Sequence, residues 1–188
     1  LCRQSLLVEA GISLVLPVFC AATGWFRYQH PRLIQLLVIE SFYNLMVVGG
    51  KLSIALDMHT ANRAVALGFG VFFVLQLGAF VAFQLKRRSL HGVVQSLTAV
   101  LLIGYWWMGL SEVSNTVDAD GRFLMWGADA PLAIRLYYVI WVVNVLLVDS
   151  PIMPWLRTAT AHFVSVGLAL WSGEFFHVRV LTACNLFV

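Results

Sequence analysis

Apolar residues come along this chain in long blocks rather than in alternation. The blocks run roughly over 6–26, 33–57, 64–85, 89–111, 130–149 and 155–173, and a further one begins near His177. A helix of about 20 apolar residues crosses about 30 Å of hydrocarbon, and each complete block is long enough or nearly so. The blocks are too long for barrel strands and lack a period of two, so the pattern predicts helices. The cleanest is 64–85, with no charge between Arg63 and Lys86; 89–111 is uncharged from Ser89 to Ser111. The expected fold class is all-α: a polytopic transmembrane helix bundle of six spans plus a truncated seventh. Most connections are short, which places successive helices antiparallel and adjacent. The exception, SEVSNTVDADGRFLMWGADAP, joins turn-forming Asn, Asp and Gly to Phe123, Leu124, Met125 and Trp126. It predicts a hairpin or flap on the membrane surface. The chain begins at Leu1 without a methionine and stops within the apolar run VLTACNLFV, so a fragment is expected.

Composition sharpens the class. The chain is 61% hydrophobic and only 11% charged, with mean hydropathy +0.86, whereas ordinary soluble domains are about 25% charged. A soluble chain this apolar would lack polar surface to cover itself, so the expected location is integral to a membrane, multi-pass, with the lipid bilayer as first partner. The stretch 6–26 is too long and too poorly flanked for a cleaved signal peptide. Cys2, Cys20 and Cys184 show neither metal nor disulfide spacing. The net charge of +3 is small and scattered, which argues against nucleic acid. The charges serve better as an orientation signal. One face receives Arg27, Arg32, Lys86, Arg87, Arg88 and Arg157; the other receives Arg3, Arg63, Arg122 and Arg179, with Arg135 just inside a helix. The dense 86–88 cluster decides between them and predicts that its loop is cytoplasmic, with the Asp118/Asp120/Arg122 loop outside.

Candidate chemistry starts at Lys51, which sits in LIQLLVIESFYNLMVVGGKLSIALDMH behind two glycines. A lysine in the bilayer core costs a few kcal/mol or more, so it has a task or an escape. The task could be to carry an aldehyde as a Schiff base. The escape is to snorkel along the roughly 10 Å that remain of the segment. A second concentration is aromatic: Tyr105, Trp106, Trp107 and Met108 in the fourth block, and Tyr137, Tyr138 and Trp141 followed by Asn144 in the fifth. Tyr137, Trp141 and Asn144 share a helix face, with Tyr138 beside them. Trp141 lies at mid-span rather than in an interfacial belt, so packing and a wall around an apolar ligand are both open readings. Glu9, Glu40, His162 and Asp149 are further polar candidates. No zinc spacing, phosphate loop or hydrolase triad is present, and no enzyme is expected.

These motifs resemble the microbial (type I) rhodopsins. ALGFGVFFVLQLGAFVAFQLKRR is similar to that family's first helix with its basic cytoplasmic end, and SLTAVLLIGYWWMGLSE to the second, where Tyr105 and Met108 match a retinal-facing pair. RLYYVIWVVNVLLVD resembles the third-helix pattern R-Y-x-D-W-x-x-T-x-P: Tyr138 falls on the tyrosine, Trp141 on the tryptophan that stacks on retinal, and Asn144 on the first threonine. HFVSVGLALWSG and HVRVLTACNLFV loosely resemble the fourth and fifth helices. The departures weigh on mechanism. The motif aspartate falls on Ile140, the arginine on Tyr137 unless Arg135 substitutes, and the proline on Leu146, so an ordinary outward proton pump is not expected.

LPVFCAATGW and ESFYNLMVVGGKLSIAL resemble the last two helices of the same family, which would make Lys51 the retinal lysine and put Val47 on its second counterion. Residues 1–60 would then be the last two helices of a preceding rhodopsin unit, and 61–188 the first five helices of a rhodopsin-like bundle. In that family the lysine helix and the first helix run the same way. Here about six residues join them, reaching about 20 Å, short of a bilayer. The alternative makes the first segment an extra N-terminal hairpin, with the retinal lysine elsewhere. The resemblance implies a retinal-binding light receptor, a sensor or channel-modulating domain, with Lys51, Tyr105, Met108, Tyr138, Trp141 and Asn144 around the cofactor. It leaves open a homo-oligomer, a fused second rhodopsin or an effector domain as partner. From other classes come a chromophore-free small-molecule or ion transporter lined by Glu9, Glu40 and Lys51, and a structural membrane subunit.

Overall fold

Helix-breaking positions divide the chain where the apolar blocks end. In a computed structural model, which describes residues 6–28, 31–87, 89–108, 113–149 and 155–187, α1 (Leu6–Ala22) stops before Gly24, whose φ of 68° suits a residue without Cβ. A 3-10 turn, Trp25–Tyr28, leads to α2 (Pro31–Ala55), and Asp57 at φ 54° reverses the chain into α3 (His59–Arg87). Ser89 starts α4 (Leu90–Met108): its Oγ accepts the Gly92 N–H at 3.0 Å, an N-cap. The long connection forms a hairpin, β1 (Thr116–Val117) against β2 (Phe123–Leu124), antiparallel with Val117 opposite Phe123. Then come α5 (Leu132–Asp149), α6 (Trp155–Ser172) and α7 (Phe175–Phe187). Cys2, Arg3 and Arg88 lie outside the described residues, as do the side chains of Arg32, Asp149, Arg157 and Cys184.

Each helix from α2 to α7 packs on the next, and α7 returns to α2, so these six close a ring; α1 lies against α2 and α7. The α2–α3 register shows the direction. A Cβ at Gly49 would meet Val65, one at Gly68 would meet Met46, and Tyr43 packs on Phe69 and Phe72 with ring centroids 4.6 and 5.0 Å away. The numbers fall on one strand of contacts as they rise on the other, so α2 and α3 are antiparallel. Residues on both sides of position 60 therefore contribute to one bundle.

The bundle has an apolar core, but it also exposes large apolar side chains and buries several polar ones. Large apolar side chains point outward along α1 to α6, including Val15, Phe19, Val38, Leu67, Leu75, Leu97, Leu136, Phe163 and Trp171. Among the most buried side chains are Glu9, Asn44, Gln84, Gln95, Ser165 and Glu174. Contiguous exposed apolar surface on this scale belongs in an apolar solvent or against a partner. Two helices, His59–Lys86 and Leu90–Met108, are long and apolar enough to cross a membrane.

The expected hairpin forms, and it is seated against the bundle core as a plug. Phe123 and Met125 are 2% and 4% exposed and belong to the core of the bundle. The plug is fastened to α3: the Asn62 side chain donates to the Asn115 carbonyl at 2.7 Å and accepts its N–H at 3.2 Å, and Trp126 Nε1 donates to the Ala66 carbonyl at 3.1 Å. Burial of the apolar rings and pairing of the loop's polar backbone both favour this seating.

Gly70 lets α3 and α4 approach, because a Cβ there would lie 1.9 Å from Trp106 Nε1 of the buried indole. Gly70→Ala is expected to destabilise the folded chain by about 1–3 kcal/mol, the usual cost of overpacking. Gly78→Ala, where a Cβ meets nothing within 4 Å, is expected to be neutral or stabilising. Unfolding in detergent compares them; equal midpoints for the two variants would contradict a close approach of α3 and α4 at Gly70.

Candidate functional site

Two polar groupings occupy the bundle, on different faces of α7. The first is a chain of ionisable groups. Glu9 is in the first turn of α1, Lys51 is near the C-terminal end of α2, and Glu174 precedes α7, its carbonyl accepting the Val178 N–H at 3.0 Å. The sequence favours these placements: acids suit the positive ends of helix dipoles, a lysine the negative end. The Lys51 ammonium pairs with Glu9 Oε2. Glu9 Oε1 lies 3.2 Å from His177 Nε2, and His177 Nδ1 lies 2.8 Å from Glu174 Oε2. That same Glu174 oxygen accepts the backbone N–H of Phe123 at 3.0 Å, and the Phe123 ring sits 5.5 Å from Lys51 Nζ and edge-on to His177. Glu9, Glu174 and His177 are 1–2% exposed, so the chain joins α1, α2, α7 and the plug away from solvent. Among the described residues no group of His, Cys, Asp and Glu has the arrangement of a metal site.

The second grouping lines a cavity inside the ring. Its walls are Tyr43 of α2, Phe69 and Phe73 of α3, Tyr138 and Trp141 of α5 and Phe176 of α7, with Glu40, Gln76, His162 and Arg179 as polar members. Arg179 is buried; its Nη1 donates to Ser165 Oγ at 2.9 Å, its Nη2 lies 2.7 Å from His162 Nδ1, and its guanidinium carbon stands 5.7 Å from the Tyr138 ring. A cation over an aromatic face replaces part of its lost hydration. Trp141 packs edge-on against Phe80 with centroids 5.3 Å apart.

The residues expected around a cofactor are distributed unevenly. Tyr138 and Trp141 share the cavity. Tyr105 packs against the core from α4 but is not among the cavity's lining residues, and Met108 is 76% exposed. Asn144 is buried at the level of the cavity but on another face of α5, its Nδ2 donating to the Ile140 carbonyl and its Oδ1 3.3 Å from His91 Nδ1 of α4. Lys51 belongs to the ionisable chain. Arg179, counted above among loop charges, is buried within α7 and bonded to α6, because the seventh apolar block starts earlier than its first arginine suggests. Glu174 and His177 were missed as a pair; the signal was Glu-x-x-His opening an apolar run, which places both side chains on one helical face.

The fold and the two groupings define an all-helical bundle with charged groups inside and apolar groups outside. No family model, curated protein or solved structure matches the chain.

Beyond the plug, the hairpin turn carries its own charge cluster. Asp118 Oδ1 accepts the N–H groups of Asp120 and Arg122 at 3.0 and 2.9 Å, and Arg122 Nε donates to Asp118 Oδ2 at 2.7 Å. The Arg122 backbone N–H, helped by its guanidinium, holds the Asp118 carboxyl below its ordinary 3.8 against a smaller opposing effect of burial. A depressed carboxylate stabilises the folded turn above its unfolded pKa, and that stabilisation is lost as pH falls through the folded one. Hydrogen exchange at the Asp120 and Arg122 amides, corrected for intrinsic rates, is therefore expected to be slow at neutral pH and to accelerate below about pH 4. Asp118→Asn removes this dependence; the same acid acceleration in that variant would contradict the assignment.

Proposed function

We propose that the chain is a multi-pass membrane protein, with α2 to α6 and much of α1 and α7 at membrane depth, that receives a small apolar ligand inside its bundle. The outward apolar faces of α1 to α6 support the first part. The aromatic cavity carries the second: concave, mostly apolar, with a few convergent polar groups. Among apolar ligands, a retinal-like polyene is the one that the sequence resemblance implies, and light reception is the function that goes with it. Tyr138 and Trp141 in the cavity wall support that choice, since flat rings suit a flat conjugated chain. Two observations separate Lys51 from such a ligand. Its amine is paired with Glu9 and does not line the cavity, and α2 runs antiparallel to α3 where the family mapping requires the same direction. No lysine lines the cavity among the described residues, so these residues supply a wall for the polyene and not its attachment.

A second reading, translocation of a proton or small ion, draws on the buried chain of Glu9, Lys51, His177 and Glu174. Ionisable groups at membrane depth mark such pathways. Loss of proton flux into liposomes in Glu9→Gln, with flux in the native chain, would favour it over a ligand receptor.

Two experiments address the main reading. Purified protein given all-trans retinal is expected to develop a red-shifted absorption band or quenched tryptophan emission, and Trp141→Ala to weaken retinal binding at least tenfold, as loss of a well-packed ring does at a binding hot spot. Equal binding by the native chain and the variant would remove the cavity from the account. For topology, single cysteines at Ser89 and Ser114 are expected to react with an impermeant reagent from opposite sides of a sealed membrane. Labelling of both from one side would contradict the multi-pass arrangement.

A further inference from the structure

The ionisable chain has a proton count that its geometry dictates. Both ring nitrogens of His177 face carboxylate oxygens, Nε2 toward Glu9 at 3.2 Å and Nδ1 toward Glu174 at 2.8 Å. A neutral imidazole has one N–H and one lone pair. With both carboxylates ionised, a neutral ring would point its lone pair at an oxygen that also offers only lone pairs. The contacts are satisfied when the three side chains share one additional proton, either on the ring or on one carboxyl. Charge agrees with this. Lys51 balances one carboxylate, and the additional proton balances the other. Without it, the buried set carries one uncompensated negative charge, which a low-dielectric interior penalises heavily.

The groups facing this set from the surrounding elements are few. Glu9 comes from α1, Lys51 from α2, Glu174 from the start of α7, and Arg122 approaches from the hairpin, where it is engaged with Asp118 and Asp120. Arg122 also passes close to the α6–α7 connection, since a Cβ at Gly173 would meet its Nη1 at 2.9 Å. The plug touches the set directly: Glu174 Oε2 holds the Phe123 N–H, and the Phe123 ring covers Lys51 and His177. Gly50 of α2 completes the seat, because a Cβ there would come within 3.1 Å of the Phe123 ring and 2.8 Å of Asn115 Nδ2.

We propose that Glu9, His177 and Glu174 form a proton-binding site whose single shared proton latches the hairpin plug onto the end of the bundle. The ligand is the proton, and what it controls is access to the bundle interior from the hairpin side. When the proton leaves, Glu174 relieves the unbalanced charge by turning toward water. That movement withdraws the acceptor from Phe123 N–H and unseats the plug. Nothing is oxidised or reduced; the proton passes to solvent water. The latch is closed on the acid side of the transition and open on the alkaline side. The proposal stands independently of what occupies the aromatic cavity.

The test uses the full chain in nanodiscs, with Cys2, Cys20 and Cys184 replaced by alanine and an environment-sensitive fluorophore on Val117→Cys at the exposed edge of the hairpin. Emission is followed as pH is raised from about 5, above the range in which protonation of Asp118 loosens the turn, with helical circular dichroism recording that the bundle stays folded. The expected result is one red-shifting transition with the steepness of a single proton. Glu174→Gln keeps an acceptor for Phe123 N–H and removes the carboxylate whose charge drives the movement, so the transition should vanish and the plug stay seated. Glu9→Gln balances Lys51 against Glu174, touches no hairpin backbone, and carries the test if Glu174→Gln does not fold. Asp118→Asn, which removes no member of the proton site and leaves Arg122 paired with Asp120, should retain the transition. A native chain without any transition, or one that persists unchanged in both Gln variants, would overturn the proposal.

Discussion

Charges buried in a protein interior must neutralise one another, and the contact of Lys51 with Glu9 is where this protein begins to meet that demand. An isolated lysine ammonium or carboxylate inside the bundle would cost several kcal/mol. Paired, the two tie α1 to α2 across positions far apart in sequence. Glu9 then requires His177, and His177 requires Glu174, so the same demand pulls α7 against both helices. The last acceptor in the series holds the hairpin backbone. A single electrostatic constraint thus connects the helix outside the ring, the closure of the ring and the plug at its end.

This chain and the aromatic cavity divide the work of α7 between two faces. His177 turns toward Glu9 of α1 and Glu174 toward the hairpin, whereas Phe176, Arg179 and Val180 turn into the cavity. Phe176 packs on Phe73, Trp126 and Tyr138, so the plug, the cavity wall and α7 share one aromatic cluster. Movement of the plug would therefore be felt at the cavity wall through Trp126. Asp129 strengthens the link: it accepts the Phe175 N–H at 2.9 Å, capping α7 from the hairpin side, and pairs with Arg135 of α5.

The apolar blocks made the helices legible, because a block of about twenty apolar residues has few alternatives to a helix. Their ends were legible too wherever Gly24, Asp57 or Ser89 marks a reversal or cap. Lys51 stood out for its cost, and Glu9 as an acid within a span. Their meeting was not legible, since it depends on how α1 lies against α2, a tertiary property that no spacing encodes. Glu174 and His177 escaped for a related reason. Ser172, Gly173 and Glu174 read as a polar break between two apolar runs, and only the ring's closure turns that break inward. Arg179 misled because an arginine early in an apolar run reads as a loop charge until Ser165 and His162 of the neighbouring helix supply its partners. In the aromatic face of α5, Tyr138 and Trp141 face the cavity together, while Asn144, one turn on, turns to His91 of α4.

If Lys51 and Glu9 act as one neutral unit in the interior, a double-mutant cycle measures their coupling directly. Lys51→Met and Glu9→Gln, singly and together, would be compared by reversible unfolding in mixed detergent micelles. Each single change breaks the Lys51–Glu9 contact; Lys51→Met, which leaves Glu9 unpaired, should destabilise by about 3–5 kcal/mol, and Glu9→Gln by less, because Glu174 still offsets the Lys51 charge. The double change removes both charges and should cost less than the sum by about 2 kcal/mol or more. Losses that add to within about 0.5 kcal/mol would contradict the account, since distant, independent sites behave that way.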